Sequence, residues 1–597
     1  MSSKSGSKKY SGKSTSNTSV KNHSGKSGPN TTAKSRSAKA AVNASAKRAS
    51  GKASANASGK NSSGGDKTAG RLELLLKQFS VDKRDIPVYL VINLYLAYIC
   101  TFFMIYMHDL YFDITLTRAK CFMYGTISFI GLGILAYFIR QFIKTDAEGG
   151  MLKGDSEYLF FMKPGQMFKS PFFWAFMLLL SNFLSYLHAE NRKAAFTGEE
   201  GRRLGLCMFI IIISMFFVLG YKAYVSVVIY IVFVAVSFFM FYIGIVQHFG
   251  VDYGSWRVNI RESQKTIFMS TIGNMNTFGG YICIFLAIGI AVMIFSKSLI
   301  LRCFAAAAVF GGGFTVMTAK SDNVYLGTAA AALLLFYIAV YYKKLCEWAG
   351  AIMVMSAGFF TMAIVNDVEK GNKGHLNGIA KLIGSIKIMG CFFAVMVVIL
   401  AVLLVLKHFK RELYEGFQCK RFLVAFTVIG VILAVIVIIW GIEAKHEFFV
   451  FNDRWGEYRG YIWNRSLRCY GKGDFATKVF GYGNESVRSV MSEFYLEEMK
   501  TVPKKIYDSS HNVLIQQLLT TGIIGLTAFV GFFISCMVCM IKNMKGSPAA
   551  AACLAGAAAH FAQALVNPEQ PIVTPLFYVL LALGVGIVRK KRMDEKV

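Results

Sequence analysis

Apolar runs of about twenty residues recur from Pro87 to Val588, each long enough to cross a ~30 Å hydrocarbon core as a helix. Set against the charged breaks, they give fourteen candidate spans. These lie near 87–107, 120–143, 171–188, 204–221, 224–246, 279–296, 298–317, 324–342, 346–365, 381–406, 421–441, 512–541, 548–566 and 571–588. The third is the weakest, because Asn182 and His188 interrupt it. The thirteenth is rich in small residues (AAAACLAGAAAHF), which suits close packing against a neighbour rather than contact with lipid. With 55% hydrophobic and 17% charged residues, the 597-residue chain has no counterpart among soluble folds, where about a quarter of residues are charged. The expected fold is an all-α polytopic membrane protein with about 12–14 transmembrane helices.

The formal charge of +31 invites a nucleic-acid reading, but its placement argues otherwise. Residues 1–70 are almost entirely Ser, Lys, Gly, Ala, Asn and Thr, with fourteen Lys or Arg and one acid, Asp66. Such a segment buries too little apolar surface to offset its ordering entropy and is expected to be a disordered tail. No apolar stretch follows it as in a signal peptide. Apart from Tyr10 no Phe, Trp or Tyr is interleaved for base stacking, so anionic lipid headgroups are the expected partner and nucleic acid is not. The 12 cysteines fall mostly inside apolar runs, as Cys536 and Cys539 do, with no second CxxC to pair with theirs and no His/Cys ligand spacing. Neither a disulfide scaffold nor a metal site is expected.

Sidedness follows from the short connections. With the tail inside, Lys343-Lys344, the run His408 to Arg421, Lys542 to Lys545 and Arg589 to Arg592 all fall inside as well. The opposite side receives 189–203, 318–323, 366–380, 443–511 and 567–570, which are mixed or contain acids. The chain divides into the tail (1–70), eleven spans (71–442), an external loop (443–511) with short helices, and the last spans with a basic cytoplasmic end (512–597).

A loop of nearly seventy residues that is not low-complexity is a functional candidate. It carries RWGEYRGYIWNRSLR from Arg454 to Arg468, which reads as a helix at the headgroup level, aromatics in the interface and guanidinium groups facing anions. A plain interfacial anchor with snorkelling arginines explains the same pattern. Gly481-Tyr482-Gly483 would let backbone approach a ligand. His511 and Asn512 then stand at the mouth of the next span, where the helix dipole lowers an imidazole pKa and leaves a neutral base. Asp508, Ser509 or Ser510 would serve as the helix cap. On the same side lie Arg257, Arg261, Asn276 and Lys320, cations and an amide suited to phosphate oxygens. No paired carboxylates demand Mg²⁺.

RGYIW (459–463), GYG (481–483) and SSHNVLIQQLLTTGIIGL (509–526) resemble the carboxyl-terminal signature of the O-antigen ligase/polymerase family of membrane glycosyltransferases. STIGNMNTFGGYI (270–282) and KSDNVYLG (320–327) resemble upstream elements of that family, so the likeness covers roughly residues 200 to 590. The resemblance implies a metal- and cofactor-independent, inverting transfer on the outer face of a bacterial cytoplasmic membrane. The donor would be a glycan on undecaprenyl diphosphate and the acceptor a hydroxyl. It implies that His511 activates the acceptor, that Arg459 stabilises the departing diphosphate, and that Arg257 or Arg261 contacts carrier phosphates. Lys320, Arg454, Asn276 and Asn512 are further candidates for the donor site. Asp322 stands where many members have Arg. An acid there would repel the donor, which points away from a lipopolysaccharide ligase proper and towards a polymerase or a ligase to some other acceptor.

Two other readings fit the span count. A transporter or lipid flippase would place functional charges at the midplane, where His560, Gln563 and Glu347 are the candidates and buried polar glue is the plainer account. A scaffold working through the basic tail would lose function when residues 1–70 are removed.

Overall fold

The computed structural model describes residues 81–143, 164–258, 260–368, 378–410, 412, 414, 419–446 and 448–594. The tail expected over 1–70 lies outside the described residues.

A helix occupies the place of each of the fourteen apolar runs. They are α1 (Ile86–Cys100), α2 (Ile114–Phe142), α3 (Pro171–His188), α4 (Leu206–Tyr221), α5 (Val227–His248), α6 (Met275–Phe295) and α7 (Leu299–Val316). They continue with α8 (Asn323–Tyr341), α9 (Leu345–Val368), α10 (Ile386–Phe409) and α11 (Cys419–Glu443). Three shorter helices, α12 (Trp455–Lys472), α13 (Phe475–Phe480) and α14 (Val487–Thr501), belong to the long loop. The bundle ends with α15 (Val513–Asn543), α16 (Pro548–Ala564) and α17 (Thr574–Asp594). Among the described residues, eleven helices are long and apolar enough to cross a membrane, the first counted with its flanking turns as Lys83–Ile105. Of the others, α4 is apolar but shorter.

The helices differ in what they bury. In α6, 89% of the apolar window is buried, and the helix packs against α7, α8 and α16. The small residues of α16 permit this: a Cβ on Gly280 of α6 would press on Gln563, and one on Gly327 of α8 on the Ala559 carbonyl. By contrast, none of the apolar window of α11 is buried although the helix is almost wholly Val, Ile, Leu and Phe. A helix apolar on every side and bare of protein has lipid as its solvent. This is a polytopic membrane protein of helices.

The bundle has two chemically distinct ends. At one, Asp85 before α1 takes Arg140 Nε from α2 at 2.5 Å, Lys222 Nζ at 2.7 Å and the Tyr224 hydroxyl. Lys343, Lys344, Lys545 and Arg589–Arg592 share this basic end. At the opposite end a two-stranded hairpin, β1 (Phe268–Met269) with β2 (Gly273–Asn274), leads into α6. Fully buried Arg118 holds the hairpin in place, donating Nη2 to the Met104 and Thr271 carbonyls at 2.8 and 2.7 Å.

The long loop is not a helix lying flat in an interface. Tyr461, Ile462, Cys469, Val487, Val490, Met491, Met499, Tyr507 and Leu519 form a second hydrophobic core. Arg465 does not face outward for anions: it grips Asp453 with both Nη atoms at 3.0 and 2.9 Å, reaches Glu498 at 2.5 Å, and stacks 4.6 Å over Tyr461. The Gly-Tyr-Gly turn likewise approaches protein rather than a ligand. Gly522 (φ 67°) breaks α15, and Tyr482 and Gly483 donate their N–H groups to the Leu519 and Thr520 carbonyls, both at 3.0 Å. A Cβ at Gly481 (φ 80°) would overlap the Thr520 carbonyl, and one at Gly522 the Val479 carbonyl. Ser185 of the weakest expected span serves the same junction, its Oγ donating to the Thr520 carbonyl at 2.7 Å, while the Asn182 side chain donates to the Leu178 carbonyl of its own helix and its backbone carbonyl accepts from Asn484 Nδ2.

Gly481→Ala or Gly522→Ala is therefore expected to destabilise the protein by at least ~2 kcal/mol through left-handed strain and overlap. Gly131→Ala in α2, where an added Cβ meets nothing within 4 Å, should be neutral or stabilising. Thermal unfolding of the purified variants in detergent micelles measures both.

Candidate functional site

The site assembles where the loop core meets the hairpin end of the bundle. Gly456, Glu457 and Tyr458 run left-handed (φ 58°, 58°, 67°), so the regular turns of α12 begin near Arg459. That places Arg459 against the connection between α16 and α17. Its Nε donates to the Val566 carbonyl at 2.6 Å, Nη1 to the Gly456 carbonyl at 2.8 Å, and Nη2 reaches Asn567 Oδ1 at 3.5 Å. Its guanidinium acid strength rises because burial disfavours the charge, with Glu457 and Asp322 opposing that shift.

His511 is a neighbour of Arg459. Its Nδ1 lies 3.1 Å from the Ser509 carbonyl, which can only accept, so Nδ1 carries the proton and Nε2 keeps a lone pair. The backbone is left-handed (φ 48°), held by the His511 N–H donating to Ser509 Oγ at 3.1 Å, and Tyr507 stands edge-on at 5.8 Å. Desolvation pushes the imidazole pKa down to about 4, and the positive charge of Arg459 adds to the fall. Burial is the first cause of that shift towards the neutral form. The cap is different: Asn512 fills it, its Oδ1 accepting from Leu514 and Ile515 N–H at 2.9 and 3.1 Å.

The other candidates divide. Lys320 (φ 53°) lies close enough to Arg257 that the two cations repel, and desolvation with that repulsion holds the ammonium pKa below its ordinary value. Among the described residues, Lys320 has no carboxylate partner. Arg257 is fixed by donating Nε and Nη2 to the Phe268 carbonyl at 3.1 and 2.8 Å. Asn276 accepts from Ser321 Oγ at 2.6 Å, while Asn323 Nδ2 donates to the Asn276 carbonyl at 2.9 Å and to Gln563 Oε1 at 3.1 Å. Gln563 Oε1 also accepts from Asn567 at 2.9 Å, so one amide chain runs from Asn276 to the residue beside Arg459. Gln563 thus acts as glue between α8 and α16, whereas His560 meets Gln563 of its own helix at 3.3 Å and lies 5.2 Å from the Phe577 ring of α17. Arg261 and Arg454 are exposed and join neither group. Asp322 accepts the Ile379 N–H at 2.7 Å and sits within electrostatic reach of Arg459, so its charge is opposed.

Sequence reasoning missed a buried ionisable cluster beside this site. Arg202 and Glu485 pair at 3.3 Å with 3% of each side chain exposed, and Glu569 joins them with a hydrogen bond to Gln517. One guanidinium neutralises one carboxylate, so the second tends to keep its proton. Burial pushes Glu569 up to about 7, with Glu485 adding to the rise. The available signal was Asn567-Pro568-Glu569-Gln570, four polar or turn residues between two apolar runs. Glu485 also lines a cavity of about 480 Å³ with His188, Glu190, Glu199, Tyr482 and Glu493. Asp508 lies within electrostatic reach of both Glu485 and His511, linking that cavity to the imidazole.

The O-antigen ligase family model matches residues 389–530. Among curated proteins none matches the chain. The O-antigen ligase match contains Arg454, Arg459, His511 and Asn512, and it stops short of Arg257, Arg261, Asn276 and Lys320, which lie before it.

The Glu569 pKa makes a signed prediction. Its folded value lies above the ordinary 4.5, so the native state holds an extra proton between about 4.5 and about 7. Stability from this group is full at low pH and falls as pH rises through about 7. Ionisation there costs on the order of 3 kcal/mol. Thermal unfolding between pH 5 and pH 8 should show that decline in the native protein and a flatter profile in Glu569→Gln.

Proposed function

We propose that this protein is a membrane glycosyltransferase of the O-antigen ligase/polymerase kind. It would move an oligosaccharide or polymer from an undecaprenyl-diphosphate carrier to an acceptor hydroxyl on the extracytoplasmic face. The observation that carries the reading is the pairing of a neutral His511, its Nε2 lone pair unprotonated, with the Arg459 guanidinium. In this reaction the acceptor hydroxyl gives its proton to His511 Nε2 as its oxygen attacks the anomeric carbon. The bond from that carbon to the diphosphate oxygen breaks, and the configuration inverts. Negative charge grows on the leaving diphosphate, and cations already in place stabilise it without reorganising. Arg459 takes that role, while Lys320 and Arg257, a cation pair whose mutual repulsion an anion relieves, hold the carrier phosphates. The carboxylate-rich cavity beside Asp508 suits the hydroxyl groups of an acceptor glycan. Both the histidine and Arg459 lie within the stretch matched by the family model, which supports the assignment of the chemistry to this end of the bundle.

His511→Ala and Arg459→Ala are each expected to abolish surface polysaccharide, read by gel analysis of glycans at equal protein level in a deletion strain. Normal glycan length and amount in both variants would sink the proposal. Loss of long chains with one repeat unit retained identifies a polymerase, and full-length polymer accumulating on the carrier identifies a ligase. Because the imidazole stays neutral down to about 4, turnover by purified enzyme should be level from pH 8 to pH 6. An ordinary imidazole would already lose about half its base form at pH 6.5.

A further inference from the structure

Gln516, the fourth residue of α15, is buried and turns its side chain back past the start of the helix. Its Oε1 accepts the Ser510 N–H at 3.0 Å and the Ser509 hydroxyl at 3.4 Å. A backbone N–H can only donate, so the oxygen end of the amide faces the turn. Ser509 passes this hold to His511 twice. Its Oγ accepts the His511 N–H at 3.1 Å, and its carbonyl lies 3.1 Å from Nδ1. Ser510 passes it to α12, where Ser466 Oγ is 3.2 Å from Ser510 Oγ. Ser466 lies seven residues beyond Arg459, about two helical turns. One amide oxygen therefore fixes the turn that carries the imidazole and ties it to the helix that carries the guanidinium.

This is not a helix cap. Asn512 Oδ1 already takes the Leu514 and Ile515 N–H groups, and the Gln516 oxygen receives no N–H of α15. A capping box would place the glutamine three residues after the cap, where Ile515 stands, and aim it at the Asn512 N–H. The adjacent Gln517 is engaged elsewhere, accepting from Thr521 Oγ1 at 3.2 Å and bonding to Glu569. What Gln516 grips are the two residues just before His511, whose left-handed backbone (φ 48°) a side-chain-bearing residue keeps only when its surroundings impose it. Arg459, Asp508 and Lys505 act on the imidazole through their charge and Tyr507 meets it edge-on, whereas the partner of Nδ1 is the Ser509 carbonyl.

We propose that Gln516 is a positioning residue: through Ser509 it holds the His511 imidazole with Nδ1 protonated, leaving Nε2 to receive the proton of the acceptor hydroxyl. The catalytic consequence rests on the glycosyltransferase reading, whereas the tautomer does not.

Two measurements test it on the full-length protein in detergent micelles. One is nitrogen-15 NMR after histidine labelling, with the His511 signals identified by their loss in His511→Ala. The other is transfer kinetics with carrier-linked glycan extracted from the deletion strain. The native protein should show a single neutral tautomer protonated at Nδ1. Gln516→Leu should lose that single tautomer and lower kcat about 10²-fold with KM little changed. Its pH profile should gain an acid limb near the ordinary imidazole pKa of about 6.5. Gln516→Glu keeps an accepting oxygen in either protonation state, so it should retain the tautomer and recover most of the rate. Lost stability alone would reduce the folded enzyme without moving the tautomer or the acid limb. A Gln516→Leu protein with both of these native therefore overturns the proposal, whatever its yield. Should Gln516→Leu not fold, Ser509→Ala cuts the Oγ link and must shift both readouts the same way; native behaviour there overturns the proposal too. Absence of transfer by the native protein, with the tautomer present and lost as stated, would overturn the glycosyltransferase reading and leave the hold on His511 supported.

Discussion

The break in α15 at Gly522 is the constraint on which the arrangement of the site depends. Inside a bilayer a backbone carbonyl that leaves its helix ladder finds no water, so a broken helix must be repaired by protein. Here the repair comes from the Gly-Tyr-Gly turn of the long loop, whose two N–H groups meet the Leu519 and Thr520 carbonyls, and from Ser185 on α3. The glycines serve this close backbone approach. The junction anchors the loop core to the bundle about ten residues along the helix from Asn512, and the core in turn carries Arg459 on α12. The His511 turn opens α15 itself. Arg459 and His511 are therefore brought together by two elements locked to one another through a helix defect.

Charge is arranged by burial as much as by pairing. At the basic end, Asp85 is surrounded by two cations and a phenol, giving a tight staple between α1, α2 and the α4–α5 connection. At the site end the pattern is inverted. Lys320 and Arg257 repel one another as neighbouring cations, and Arg202 faces two carboxylates and can neutralise only one. Asp322, which looked hostile to an anionic donor, is held by the Ile379 N–H and opposed by Arg459. It is therefore no argument against a phosphate nearby, and it does not by itself separate a polymerase from a ligase.

The fold was legible because lipid imposes a long apolar period that survives in one dimension. Every expected span, including the third that Asn182 and His188 interrupt, has its helix, and the small residues of 548–566 did mark close packing. The site was legible only in part. His511 and Arg459 stood out by residue type and position, whereas Arg118, Asn567 and Glu569 did not, because each is defined by what surrounds it. Periodicity read 454–468 as an interfacial amphipath, since a helix with one apolar face looks the same whether that face meets headgroups or a small protein core. The helix cap went to Asn512 rather than the preceding Asp or Ser for a similarly local reason: the backbone turns left-handed at His511, so the helix begins only after it.

The sequence by itself determined that this chain lives in a membrane as a helical bundle, and that its longest polar connection is folded rather than a linker. Those properties follow from composition and run length, which are sums over neighbouring residues. The tertiary structure alone decided that Arg459 comes within electrostatic reach of His511, while Arg454 and Arg261 stay exposed and Arg465 is committed to Asp453 and Glu498. It also decided that the imidazole is neutral through burial and that Glu569 keeps its proton into the neutral range. Desolvation and charge proximity depend on atoms from distant parts of the chain, here separated by up to several hundred residues, and no local pattern encodes them.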